Sequence, residues 1–230
     1  MQSNLSFTAQ PSRLSLLLRA SRQAPLTAKF GMVVVVIYVF VAVFAPLIAP
    51  YGEVEVVSRT PYSPWSAEFL LGTDQLGRDF LSRLIYGARN SISIALVTTL
   101  ISFTIGCLAG MIAALVGGLL DQVISRFVDA VMSIPDLIFI LMILSIFGGS
   151  ILNLILIIAI LTSTRFFRIA RAAALNGASL DYVEAAQLRG EGTWWVILRE
   201  VLPNISAPLI AEFGLRFCFV FLTISALSFL

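Results

Sequence analysis

The run Leu137–Thr164, LIFILMILSIFGGSILNLILIIAILTST, holds no charged side chain and is broken in character only at Gly148-Gly149-Ser150. A stretch of this length is either one helix or two helices meeting at the Gly-Gly-Ser turn, and the choice sets the number of membrane crossings. Charge decides it. Residues 1–29 carry Arg13, Arg19, Arg22 and Lys29 with no acid, which orients the N-terminus inward. A single span at 137–164 would then put Arg165, Arg168, Arg171, Arg189 and Arg199 outside, against the positive-inside rule, whereas two spans keep them inside.

The rest of the composition agrees with a chain built for lipid. Hydrophobic residues make up 59% and charged residues 12% of the 230, and the mean hydropathy is +0.97. Too few charges are available to cover a water-exposed surface, so soluble enzymes and nucleic-acid binders are excluded. There is no His, and Lys29 is the sole Lys, so no Ser-His pair, His metal site or P-loop lysine can be assembled. Cys107 and Cys218 each lie inside an apolar run and read as small packing residues rather than as a disulfide.

Five spans follow. Residues 1–29 form an inner N-terminal segment and 30–50 form span 1; its length and its Pro46 and Pro50 favour a retained span over a cleaved signal peptide. Residues 51–89 are a polar outer segment with turn signals, and span 2 begins at Asn90. Span 3 is expected from near Phe127, tolerating Asp129 and Asp136, with Pro135 marking a local break; span 4 covers about Ile151–Phe167 and span 5 about Asn204–Leu230. On this count the core is 90–230, ten of the fifteen cations face inward, and Leu230 falls at the outer face. Glu212 and Arg216 share a helical face at i,i+4 spacing and read as an internal ion pair or an interfacial snorkel in preference to a pathway lining. Gly106, Gly110 and Ala114 form a stripe of small residues suited to close helix packing.

The inner loop 168–200 between spans 4 and 5 is helical in pattern. Asp181 can cap a helix whose Glu184 returns the bond, Leu180, Val183, Ala186, Gln187 and Leu188 make it weakly amphipathic, and Gly190 ends it. A second segment, Thr193–Glu200, carries Trp194 and Trp195, and Pro203 is expected to stop it and open span 5. This helix–Gly–helix unit is either a plain interfacial helix pinned by Trp or a docking element.

The run Glu184-Ala185-Ala186-Gln187-Leu188-Arg189-Gly190, followed by Leu202-Pro203-Asn204, resembles the EAA loop of ATP-binding-cassette importer permeases. That pattern carries an apolar residue where Glu200 stands, and Val201 beside it can fill the place. Leu71-Gly72-Thr73-Asp74-Gln75-Leu76-Gly77-Arg78-Asp79, Ser133-Ile134-Pro135 and Leu227-Ser228-Phe229-Leu230 are similar to the dipeptide, oligopeptide and nickel branch. The resemblance implies an all-α polytopic bundle of the type I importer kind in the bacterial inner membrane, with six spans in the family against five here, because its members continue into a Gly-rich outer loop and a final helix. It also implies a half-pore that pairs with a second permease subunit and sits on two cytoplasmic ATPases, which bind ATP and Mg; this chain needs no cofactor or metal of its own. A periplasmic or lipid-anchored binding protein would deliver the solute, and lipids would surround the bundle.

Asp181, Glu184, Ala185, Ala186, Arg189, Gly190, Leu202 and Pro203 would then couple the chain to the ATPase, with Arg189 toward the partner or lipid phosphate. Asp136, Glu212 and Arg216 are candidates for lining the pathway. Short peptides are the expected cargo, with nickel chelates and glutathione-like or opine-like compounds as further options. Two other classes compete: a proton-coupled secondary transporter using Asp129, Asp136 and Glu212, which should show an internal repeat, and a non-transporting scaffold.

Overall fold

The computed structural model describes residues 25–178 and 181–228, without the side chains of Ala178, Asp181, Tyr182, Glu184 and Gln187. It divides into two compact units, one ending at Arg89 and one starting at Asn90. Among the described residues the regular structure is helical, with only two isolated antiparallel bridges, Val56 to Arg78 and Thr73 to Asp79.

In the first unit, α1 (Leu26–Val43) is apolar on all sides, and of its residues only Ala42 is buried. A helix with that profile needs lipid around it. A short helix, α2 (Ala45–Ile48), follows with Pro46 in its first turn, where a missing N–H costs nothing. Residues 51–79 form a folded turn structure, and α3 (Phe80–Val116) begins ahead of the uncharged run at Asn90. The start is set by Asp79, whose Oδ2 accepts bonds from the Ser82 amide at 2.7 Å and the Ser82 hydroxyl at 2.6 Å, which makes Asp79 a helix cap. Thus residues 80–89 of the expected outer loop are helix.

The second unit is built on α3, α4 (Gly118–Met132), α5 (Asp136–Phe147), α6 (Ile151–Ala178) and α9 (Leu202–Leu227). The local break expected at Pro135 is present and sharp, with α4 and α5 bent by 88° at Ser133-Ile134-Pro135, but the helix before it starts at Gly118 rather than near Phe127. Pro135 cannot donate to a preceding turn and disfavours helical geometry at Ile134, so the chain breaks there. Helix α5 has 12 residues and a length of about 18 Å, short of a bilayer core. Gly148, with φ +86°, ends it where the Gly-Gly-Ser turn was expected to separate two helices.

Among the described residues, four helices are long and apolar enough to cross a membrane, and the bent pair makes a fifth if it counts as one span. Phe103 of α3 ties the bundle together: its ring meets Phe166 of α6 edge-on at 5.3 Å and Phe213 of α9 at 5.5 Å. A second apolar cluster joins Ala95, Ile140, Leu161 and Val220, one from each of α3, α5, α6 and α9.

Candidate functional site

The loop after α6 folds into α7 (Asp181–Leu188), a turn, α8 (Thr193–Trp195) and a π-helical turn Val196–Val201 that runs straight into α9. Helix α7 buries Val183 and Ala186, and the π turn buries Val196, Ile197 and Val201; the five share one core with Phe166 and Leu209. Spacing explains the choice. Val183 and Ala186 are three apart and lie on one face, and the π turn brings Val201 round where Glu200 would otherwise point. Helix α7 closes with Gly190 at φ +82° and with the Glu191 amide bonded to the Ala186 carbonyl at 3.2 Å, a Schellman-type end.

Of the residues expected to couple, Ala186 is in the core and Leu202 packs against it, whereas Ala185, Arg189, Gly190 and Pro203 are exposed. Leu188 is 82% exposed at the tip. The capping roles expected of Asp181 and Glu184, and the face expected of Gln187 and Leu180, fall outside the described residues. Pro203 opens α9 in its first turn, as the sequence suggests, but does not stop the segment before it, and Thr193–Leu227 is one 35-residue helical run. The π turn before it accommodates a residue with no N–H to give. The two tryptophans divide: Trp194 is exposed, while Trp195 packs against the core and carries the Arg189 guanidinium 6.0 Å above its ring centre.

Of the three pathway candidates, Asp136 and Arg216 line one cavity, and Glu212 is held by Arg216. Arg165 of α6 donates to Asp136 at the start of α5 at 2.7 Å, and Arg216 pairs with Glu212 one turn away on α9. Asp136, Arg165 and Arg216 line one cavity of about 180 Å³ together with Thr162, Phe219 and Thr223. Arg216 also lies over the Phe219 ring at 5.6 Å. Sequence reading missed Arg165 as a member of this group, because its partner is 29 residues away across the α5–α6 turn. A further ion pair joins Asp121 of α4 to Arg171 of α6. Cys107 is buried and Cys218 exposed, and they are not bonded to each other.

In the first unit the segment Leu71–Asp79 is organised by Asp74, also unassigned from sequence. Its carboxylate accepts from the amides of Leu76 at 2.8 Å and Arg78 at 2.9 Å, from Arg78 Nε at 3.0 Å and from Arg83 Nη1 at 2.7 Å. Burial pushes this carboxyl up, but the two amides and two guanidinium groups outweigh it and bring its pKa to about 2. Gly72, at φ +74°, leaves no room for a side chain: a Cβ there would meet the Ser63 carbonyl oxygen at 2.5 Å.

Long apolar helices gathered round a cluster of charged side chains are the form of a multi-pass membrane protein. Residues 102–230 match the family described as binding-protein-dependent transport system inner membrane component, and residues 27–64 match the N-terminal TM domain of oligopeptide transport permease C. The chain belongs to that binding-protein-dependent permease family. It is 39% identical over 206 residues to the Di/tripeptide transport system permease protein DppC of Pseudomonas aeruginosa, a match covering 87% of this chain and 68% of that protein. The Dipeptide transport system permease protein DppC of Haemophilus influenzae is 34% identical over 210 residues, covering 88% and 71%. The protein of the same name from Escherichia coli K12 is 39% identical over 209 residues, covering 88% and 70%. The chain is thus a non-catalytic, multi-pass inner-membrane component of an ATP-binding-cassette importer.

Proposed function

We propose that this chain forms half of the translocation pathway for short peptides, beside a second permease subunit, on two cytoplasmic ATPase subunits and beneath a solute-binding protein. The N-terminus faces the cytoplasm and 51–89 the opposite side. What supports peptides as cargo is the set of relatives named for dipeptide and di/tripeptide transport.

The observation that carries the coupling role is the split in the loop 168–200. Its inward residues Val183, Ala186, Val196 and Ile197 are packed in the bundle core, as is Val201 just beyond the loop, while Leu188, Arg189 and Gly190 stand out at one tip. A short turn joins that tip to the 35-residue run Thr193–Leu227, and a push on a base packed this way would pass on as a tilt. Closure of the ATPase dimer would displace α7 and tilt α6 and α9, opening the path to the other side by alternating access. Asp181, Glu184, Ala185, Arg189 and Gly190 would make the contact; Ala186, Leu202 and Pro203 would hold it in place. Asp136, Glu212 and Arg216 would line the path.

The test is uptake of dialanine by proteoliposomes holding the complete transporter. ATP-dependent accumulation that requires the ATPases and the binding protein supports the reading; accumulation driven by a proton gradient without ATP overturns it.

A further inference from the structure

Resting on the permease reading, we propose that the Asp136–Arg165 pair is an exchangeable lock that receives the two charged termini of a zwitterionic peptide. On entry, Arg165 passes from Asp136 to the peptide carboxylate, and Asp136 takes the peptide ammonium. No covalent bond changes; one internal ion pair becomes two cross-pairs.

Three observations lead there. The first is position. Arg165 lies fourteen residues into α6, near the inner end of span 4, and Asp136 meets it at the start of α5, just after the break in the bent pair. An ion pair there faces protein or water rather than hydrocarbon. The second is a difference between the Asp136–Arg165 pair, which lines the cavity, and the Glu212–Arg216 pair, of which only Arg216 does. The Arg216 and Glu212 side chains are 18% and 10% exposed, with Arg216 also over the Phe219 ring, so that pair is held in place. The Arg165 and Asp136 side chains are 37% and 47% exposed and open onto the same cavity. Partners that accessible are weakly committed to each other and can be exchanged.

The third is charge balance. Asp136, Arg165, Glu212 and Arg216 sum to zero. A peptide bearing only one charge would leave an unpaired charge in a low-dielectric space, which is strongly disfavoured, whereas a zwitterion satisfies both freed groups. Thr162 and Thr223 line the same space, and the Thr223 hydroxyl, which donates to the Phe219 carbonyl at 2.9 Å, keeps its oxygen as an acceptor for a peptide N–H. The site therefore favours peptides with both termini free, independently of selection by the binding protein.

The experiment is equilibrium binding of tritiated dialanine to the purified complete complex without binding protein, with unlabelled dialaninamide and N-acetyl-dialanine as competitors, alongside ATP-driven uptake. The wild type should retain dialanine and release it to neither blocked peptide. Arg165→Gln should weaken dialanine binding by about tenfold, the loss of one charge-assisted bond, and shift preference toward dialaninamide. The exchanged pair Asp136→Arg with Arg165→Asp should restore dialanine binding, which a misfolded single variant could not mimic. Equal loss of all peptides, with no change in preference, would mark a merely structural link between α5 and α6 and overturn the proposal. So would a wild type that imports dialanine with ATP but holds none at millimolar concentration. Failure of ATP-driven import by the wild type would instead overturn the permease reading beneath it.

Discussion

Gly110 of α3 lies against Phe167 of α6 so closely that a Cβ on the glycine would sit 2.6 Å from the Phe167 carbonyl oxygen. One turn earlier, a Cβ on Gly106 would meet that of Phe166 at 2.6 Å. Two helices approach backbone to backbone here, as the stripe of small residues in the sequence suggests. Gly110→Leu should therefore force α3 and α6 apart and destabilise the bundle by at least about 1–3 kcal/mol. Thermal unfolding in detergent checks this, with Gly149→Ala, which meets nothing within 4 Å, as the neutral control.

Gly190 turns the chain at φ +82°. A β-branched residue there should cost roughly 1–2 kcal/mol in local strain and misplace the tip of α7. Gly190→Val should abolish uptake and weaken ATPase co-purification while membrane insertion stays normal; Gly190→Asn, which tolerates the left-handed region, should keep part of both. Uptake assays paired with pull-downs read the outcome.

The long helices were legible in the sequence where an uncharged run overlapped one, as in α1, α3 and α6, and α9 was legible despite Glu212 and Arg216. The α4–α5 bend was only half legible. Pro135 signalled a break, but the extent of α4 back to Gly118 did not show, because Asp121 and Arg126 look like loop charges until Asp121 is seen paired with Arg171 on a neighbouring helix. Pro203 opens α9 as read, but a π turn upstream lets the preceding segment run on where the usual hydrogen-bond pattern would have ended it. Arg165 and Asp74 were missed because their roles depend on partners brought near by folding.

Asp121 and Arg171 pin α4 to α6. A double-mutant cycle with Asp121→Asn and Arg171→Gln should give a coupling energy of about 1–2 kcal/mol. Reversing both charges should recover most of the stability lost by either single reversal.

Asp74 makes the 51–79 segment acid-sensitive in a defined window. Its pKa falls from an ordinary value of about 3.9 to about 2 on folding. A carboxyl depressed in this way stabilises the fold fully above pH 4, and the contribution fades as pH drops toward 2. Protease protection of this segment should thus hold from pH 5 to 8 and fall below pH 4. In Asp74→Asn it should already be reduced at neutral pH and lose that acid dependence.

The most direct test of the coupling account is the side and cover of the α7 tip. A cysteine at Leu188, in a chain carrying Cys107→Ala and Cys218→Ser, should react with a membrane-impermeant maleimide only in inside-out vesicles, and bound ATPase subunits should protect it. Reaction in right-side-out vesicles alone, or reaction unaffected by the ATPases, would contradict the account.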